Sequence, residues 1–171
     1  MLAPAPTLAA ATTPRVWQGV AYRPLPDAAA ARQLFDFAAV PWPGAAVAFA
    51  WSAFAPDAAG ERLIGAVLVE RAGTAALLHG PLISTADDVP AAAPLEVAGQ
   101  LLDAAIDHAT ALGVRTLYAR PQGLDRVWVR HGFLPVPEVA LPAALAGRPG
   151  AGLYAWRGGS ALWTLREAAE G

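Results

Sequence analysis

The spacing of apolar positions changes several times along the chain. In Ala46–Phe54, Val47, Phe49 and Trp51 alternate with Ala and Ser, and alternation of this kind predicts a half-buried strand. Leu63–Glu70 and Ala75–Ser84 are runs of largely apolar residues, parted by the tight turn Arg71-Ala-Gly73. With the preceding run they read as an antiparallel meander. Upstream, Arg15–Leu25 reads as one strand ending among prolines. Asp27 is placed to cap a helix carrying Ala31, Leu34, Phe35 and Ala38 on one face, which stops before Pro41-Trp42-Pro43-Gly44. From Leu95 to Leu112 the period becomes helical: Leu95, Ala98, Leu101, Leu102, Ala105, Ile106, Ala109 and Leu112 form a stripe, with Glu96, Asp103 and Asp107 opposite and Gly113 as C-cap. Val114–Arg120 then reads as a strand and Leu124–His131 as a short helix closed by Gly132-Phe133. A strand, a Pro-rich crossover over Pro135–Pro149, and last strands at Gly152–Arg157 and Ala161–Leu165 complete the chain. The order β-α-β-β-β-α-β-α-β predicts an α/β (α+β) fold: a mixed central sheet, an antiparallel meander followed by β-α-β-α-β, and helices on both faces.

Composition narrows the function classes. A chain of 171 residues suits one domain, expected over 15–171, with residues 1–14, rich in Ala, Pro and Thr, as a flexible tail. The net charge of −2 comes with no basic run, which argues against nucleic acid as a partner. No cysteine occurs, so disulfides, thiolate metal sites and a Cys nucleophile are excluded. All 12 basic residues are arginine, which removes lysine Schiff-base chemistry and a P-loop lysine. His79, His108 and His131 lack the close spacing of a zinc motif, so no metal is expected. No stretch of about 18 apolar residues or more is free of Pro or charge, so no membrane span is expected. Met1–Pro14 lacks the basic start and apolar centre of a secretory signal, and a cytoplasmic location is expected.

The run from Gly99 through Gly113 to Tyr118, the run Leu124–Phe133 ending in Gly132-Phe133, and Gly80-Pro81-Leu82-Ile83 carry a family resemblance. They are similar to the central helix and fifth strand, the short helix, and the end of the fourth strand of the GNAT N-acetyltransferases. The resemblance implies that acetyl-CoA lies between the fourth and fifth strands, its pantetheine arm bonded to the strand at Leu82, Ile83 and Ser84. It places the pyrophosphate on the helix N-terminus, at Val97, Ala98, Gly99 and Gln100, where free N–H groups and the helix dipole attract anions. Arg126 and Arg130, one turn apart on the short helix, are placed to meet phosphates. The family's Arg/Gln-x-x-Gly-x-Gly/Ala loop falls on Ala93–Ala98, where only Ala98 fits and Glu96 introduces a negative charge. Gly132-Phe133, Leu141-Pro142, Tyr154, Arg157 and Ser160 are similar to the end of amino-acid N-acetyltransferases of the N-acetylglutamate synthase kind. That likeness implies that Arg157 and Ser160 hold a substrate carboxylate.

Acyl transfer to an amine needs a base, a polarising donor and an acid for the leaving thiolate. His79, on the strand beside the expected cleft, suits the base because imidazole titrates near neutrality; Glu70 is the carboxylate alternative. Where many family members place a tyrosine acid on the short helix this chain has Trp128, and Tyr118 is the substitute. His108 is expected on the solvated flank of the long helix, and His131 as a helix-end cap. These readings point to an acyl-CoA-dependent N-acyltransferase acting directly on a small amine or amino acid. Alternatives are a non-catalytic ligand- or protein-binding module, and a homodimer in which Trp42, Trp156 and Trp163 make the contact.

Overall fold

The computed structural model describes residues 5–44, 46–84, 94–123, 125–149 and 162–166. The elements are α1 (Leu8–Ala11), β1 (Arg15–Trp17), β2 (Val20–Pro24), α2 (Arg32–Phe37), β3 (Phe49–Asp57), β4 (Gly60–Ala72), β5 (Ala75–Ile83), α3 (Pro94–Ala111), β6 (Thr116–Ala119), α4 (Asp125–Arg130), β7 (Leu134–Val136) and β8 (Leu162–Arg166). The strands form one sheet in the order β1-β2-β3-β4-β5-β6-β8-β7. Among the described residues only the β5–β6 pairing is parallel; the other pairs are antiparallel.

Two expectations change. The run Arg15–Leu25 is a hairpin of β1 and β2, because Gln18 (φ 49°) and Gly19 (φ 81°) both adopt positive φ. That pair matches the right-handed twist of adjoining strands and turns the chain back on itself. Within the expected tail, Thr7 caps α1 and Ala11 is buried where α1 packs against α3. Asp27 does cap, accepting from Ala29 N at 3.0 Å, but it opens a 3₁₀ turn (Ala28–Ala31) that leads into α2.

Both faces of the sheet are covered, which explains why β4 reads as a nearly unbroken apolar run. Along it, Ile64, Val67 and Val69 face α3 and α4 in the main core with Trp51, Leu101, Leu102 and Trp128. Ala66 and Leu68 face the opposite way, against Phe35 and the α2 side. A third cluster on that second face joins Leu77, Tyr118 and Leu162 to Leu141 and Leu145 from the 3₁₀ turns after β7. Trp42 meets Phe35 edge-on at 5.1 Å, and Trp163 packs against the main core. Both tryptophans therefore serve this chain's own packing; Trp156 lies outside the described residues. No described helix is long and apolar enough to cross a membrane.

Candidate active site

Strands β5 and β6 pair only from Ala75↔Thr116 to Leu78↔Ala119. Strand β6 then ends, while β5 runs on to Ile83 bonded to β4 alone. Beyond Leu78 one edge of β5 is thus open among the described residues, and unpaired strand-edge amides and carbonyls can bond an extended ligand. A bulge marks the divergence. Ala66 pairs with Leu82 and Leu68 with His79, so Gly80 and Pro81 together oppose Val67. Only glycine suits the first position: Gly80 has φ +97°, and a Cβ there would lie 2.9 Å from Leu82 N and 3.0 Å from Ala66 O.

The opening is a groove with two arms. The wider, about 310 Å³, follows Pro81–Ile83 to Pro94, Gly123 and Trp128. The narrower, about 40 Å³, lies beside Leu77, His79, Val40, Pro41 and Arg148. Gly80, Arg120 and Gln122 line both arms and so mark their junction.

At the narrow arm the structure joins two residues that sequence reading held as alternatives. His79 Nε2 lies 2.5 Å from Glu70 Oε2. Glu70 is only 2% exposed, and Arg148 Nε donates to both its oxygens at 2.8 and 3.0 Å. Burial pushes the Glu70 carboxyl upward, but bonds to His79 and Arg148 and their charges outweigh it and hold the carboxyl below its ordinary value. When His79 is neutral, the carboxylate at Nε2 keeps the proton on that nitrogen and leaves the lone pair on Nδ1. Arg148 escaped sequence reading: it sits 78 residues from Glu70 in a Pro/Gly-rich crossover and carries no local signal.

Tyr118 does not join this group. It is buried with Leu77, Leu141, Leu145 and Leu162, apart from the lining of either arm. The indole of Trp128 lines the wide arm and packs edge-on against Phe133 at 4.8 Å.

The residues expected at the cofactor divide. Leu82 and Ile83 line the wide arm. Ser84 donates its N–H to Ile64 O at 2.7 Å and lines an adjoining hollow beneath Phe37. Val97 and Ala98 point into the main core, which leaves them only backbone for a ligand. Gly99, Gln100 and Arg130 line a hollow of about 260 Å³ between α3 and α4, whereas Arg126 is exposed and outside it. Arg157 and Ser160 lie outside the described residues.

Two features of the α3–α4 hollow were not legible beforehand. His131, expected as a cap, does meet Val127 O through Nδ1 at 2.7 Å, and its Nε2 also meets Asp103 Oδ1 at 2.8 Å. Both nitrogens face acceptors, a setting that fits imidazolium. Asp103 raises the pKa most, burial opposes it, and the Val127 carbonyl adds to the rise. Glu96 is held by the β1–β2 hairpin, Trp17 Nε1 donating to its Oε1 at 3.0 Å. His108 departs from expectation altogether: it is buried, stacked on Phe49 at 3.8 Å, and accepts from Trp51 Nε1 at 3.0 Å. Among the described residues, no group of three or more His, Asp or Glu gathers as a metal site.

No protein-family model matches the chain, and no curated protein matches it. Solved structures do. The chain is similar to an acetyltransferase from Streptococcus agalactiae (12% identity, TM-score 0.55, 88% of this chain and 100% of that one). It is similar to a probable acetyltransferase of the GNAT family from Chromobacterium violaceum (14%, 0.52, 97% and 93%). It is also similar to N-acetylglutamate synthase from Neisseria gonorrhoeae, solved with coenzyme A and L-arginine (13%, 0.56, 87% and 33%). Of other matched acetyltransferase chains it spans 66% or as little as 25%. The chain has the GNAT acetyltransferase fold.

Proposed function

We propose that this chain, with its GNAT acetyltransferase fold, is a cytoplasmic acyl-CoA-dependent N-acyltransferase that acylates a small amine or amino acid by direct transfer. The observation that carries this reading is the two-armed groove at the β5–β6 divergence, with a carboxylate-held imidazole in one arm and, along the other, a strand edge that no described residue pairs. The residues fit the co-substrate in two places. The edge of β5 at Leu82 and Ile83, facing Trp128, suits the pantetheine arm. The α3–α4 hollow, with the backbone at Gly99 and Gln100 and the Arg130 guanidinium, suits phosphate; of the two carboxylates that also line it, Trp17 engages Glu96 and His131 engages Asp103.

When bound, the thioester supplies the acyl carbon. The amine enters the narrow arm and gives one proton to His79 Nδ1 as its nitrogen bonds that carbon. Glu70 fixes the ring through Nε2 and offsets the positive charge the ring acquires. Arg148 keeps Glu70 ionised in its buried position. The C–S bond breaks, and the proton held at Nδ1 passes to the sulfur. His79 thereby serves as base and acid, the second role falling to it because Tyr118 is in the core and an indole cannot give a proton to a thiolate.

A second reading, a non-catalytic binding module, is favoured by Glu96 in the first turn of α3, where it opposes an anion. Calorimetric titration of the natural protein and Glu96→Gly with acetyl-CoA separates the two. Micromolar binding by the natural protein is expected. Binding gained only on Glu96→Gly supports the module, and no heat from either protein refutes the acyltransferase.

A further inference from the structure

Resting on the acyltransferase reading, we infer that Arg120 receives the carboxylate of the acceptor, so that the acceptor is a small amino acid rather than a simple amine. The parallel register ends at Leu78↔Ala119, which sets the next residues, His79 and Arg120, level with each other where the strands part. Side chains alternate along a strand. His79 therefore shares the face of Leu77, on the side of the sheet away from α3, and Arg120, just past the end of β6, lines the same narrow arm.

Three observations bear on the ligand. Among the described residues, the charged or titratable side chains lining the narrow arm are His79, Arg120 and Arg148, and no acidic side chain lines it. Glu70 lies behind this lining, already bonded to His79 and Arg148. The two arginines differ in capacity. Arg148 is occupied, with Nε on Glu70, one terminal nitrogen on Ala146 O at 3.0 Å and the other on Ala144 O at 2.8 Å. Arg120 has a side chain 9% exposed and bonds Glu138 through a single nitrogen. Its Nε is buried with no hydrogen-bond partner among the described residues. A guanidinium carries five donors in a fork that fits a carboxylate, and a buried donor without an acceptor is costly until one arrives. Space sets the size. An arm of about 40 Å³ holds roughly three waters, so it takes only the polar head of a small acceptor, whose remainder lies at the junction with the wider arm.

The experiment follows acetyl transfer to glycine and L-alanine, and to glycinamide and L-alaninamide, by the natural protein, Arg120→Gln and Glu138→Gln. A site built for a charged group rejects the analogue lacking it steeply, so kcat/KM is expected to favour each acid over its amide by at least about 100-fold. Arg120→Gln is expected to erase that preference, the acids losing far more kcat/KM than the amides. Glu138→Gln, which leaves the guanidinium in place, is expected to keep it. Equal use of acids and amides, or an equal loss for both in Arg120→Gln, overturns the inference and leaves the acyltransferase reading standing. Absence of transfer to any amine is a failure of that reading instead. Thermal melting in millimolar glycine against glycinamide then decides on the site alone. Stabilisation by the acid only, lost in Arg120→Gln, upholds the carboxylate site; no difference between the two overturns it.

Discussion

Replacing Glu70 with Gln tests the centre of the candidate site without changing its shape. The carboxylate accepts from His79 on one oxygen and from Arg148 on both. An amide keeps one acceptor and turns the other position into a donor facing an N–H, so at least one bond becomes a donor–donor contact and Arg148 loses its counter-charge. Removing one partner of a buried ion pair costs about 3–5 kcal/mol. Arg148 keeps two bonds to backbone carbonyls, and its side chain is 20% exposed, which places the cost nearer about 2–3 kcal/mol. For a chain of this size that corresponds to a fall in Tm of roughly 5–10 °C. The pH dependence supplies a second readout. The Glu70 carboxyl is held below its ordinary value, so its contribution is full above the unfolded pKa, near 4.3, and is lost as pH falls through the folded value. The gap between natural and variant Tm is expected to be widest at pH 7 and to close as the solution is acidified below about pH 4. Melting curves from pH 7 to pH 3 measure it. A gap under about 2 °C at pH 7, or one that persists unchanged at pH 3, refutes the buried His79–Glu70–Arg148 cluster.

Other expectations follow from the same packing. Gly80→Ala forces a Cβ to within 3.0 Å of backbone at φ +97°; it is expected to cost about 2–4 kcal/mol in urea denaturation and to weaken acetyl-CoA binding by distorting the groove. His108→Ala orphans the buried indole N–H of Trp51 and empties a stacked site, with an expected loss of about 2–3 kcal/mol at pH 7. Burial lowers the His108 pKa, so on acidification below about pH 6.5 the unfolded chain takes up a proton that the folded chain refuses. The natural protein is then expected to lose stability more steeply than the variant, narrowing the gap between them. Asp103→Asn removes the chief cause of the raised His131 pKa, and NMR titration is expected to show the imidazole titrating at lower pH. The stability His131 provides is present below the unfolded histidine pKa and lost as pH rises through the folded one, and that loss is expected to shrink in the variant.

Local pattern alone determined much of the framework. The apolar stripe from Leu95 to Leu112 became α3, the alternation around Trp51 became β3, and Gly113 and Asp27 cap where their chemistry suggests, because period and capping depend on neighbours a few residues away. Gln18-Gly19 was also a local turn signal, but the apolar residues on both sides obscured it. Tertiary structure decided what a residue faces. His108 looked solvated from the helix alone, and only the arrival of Phe49 and Trp51 from β3 buries it. Glu70 and His79 were separate candidates until the β4–β5 register set them in contact. Arg148 and Arg120 carried no signal, because their roles depend on a crossover loop folding back over the sheet and on β6 ending where β5 continues. A hydrogen bond or an idle buried donor belongs to a pair of distant segments, and a one-dimensional pattern records only what each segment brings to it.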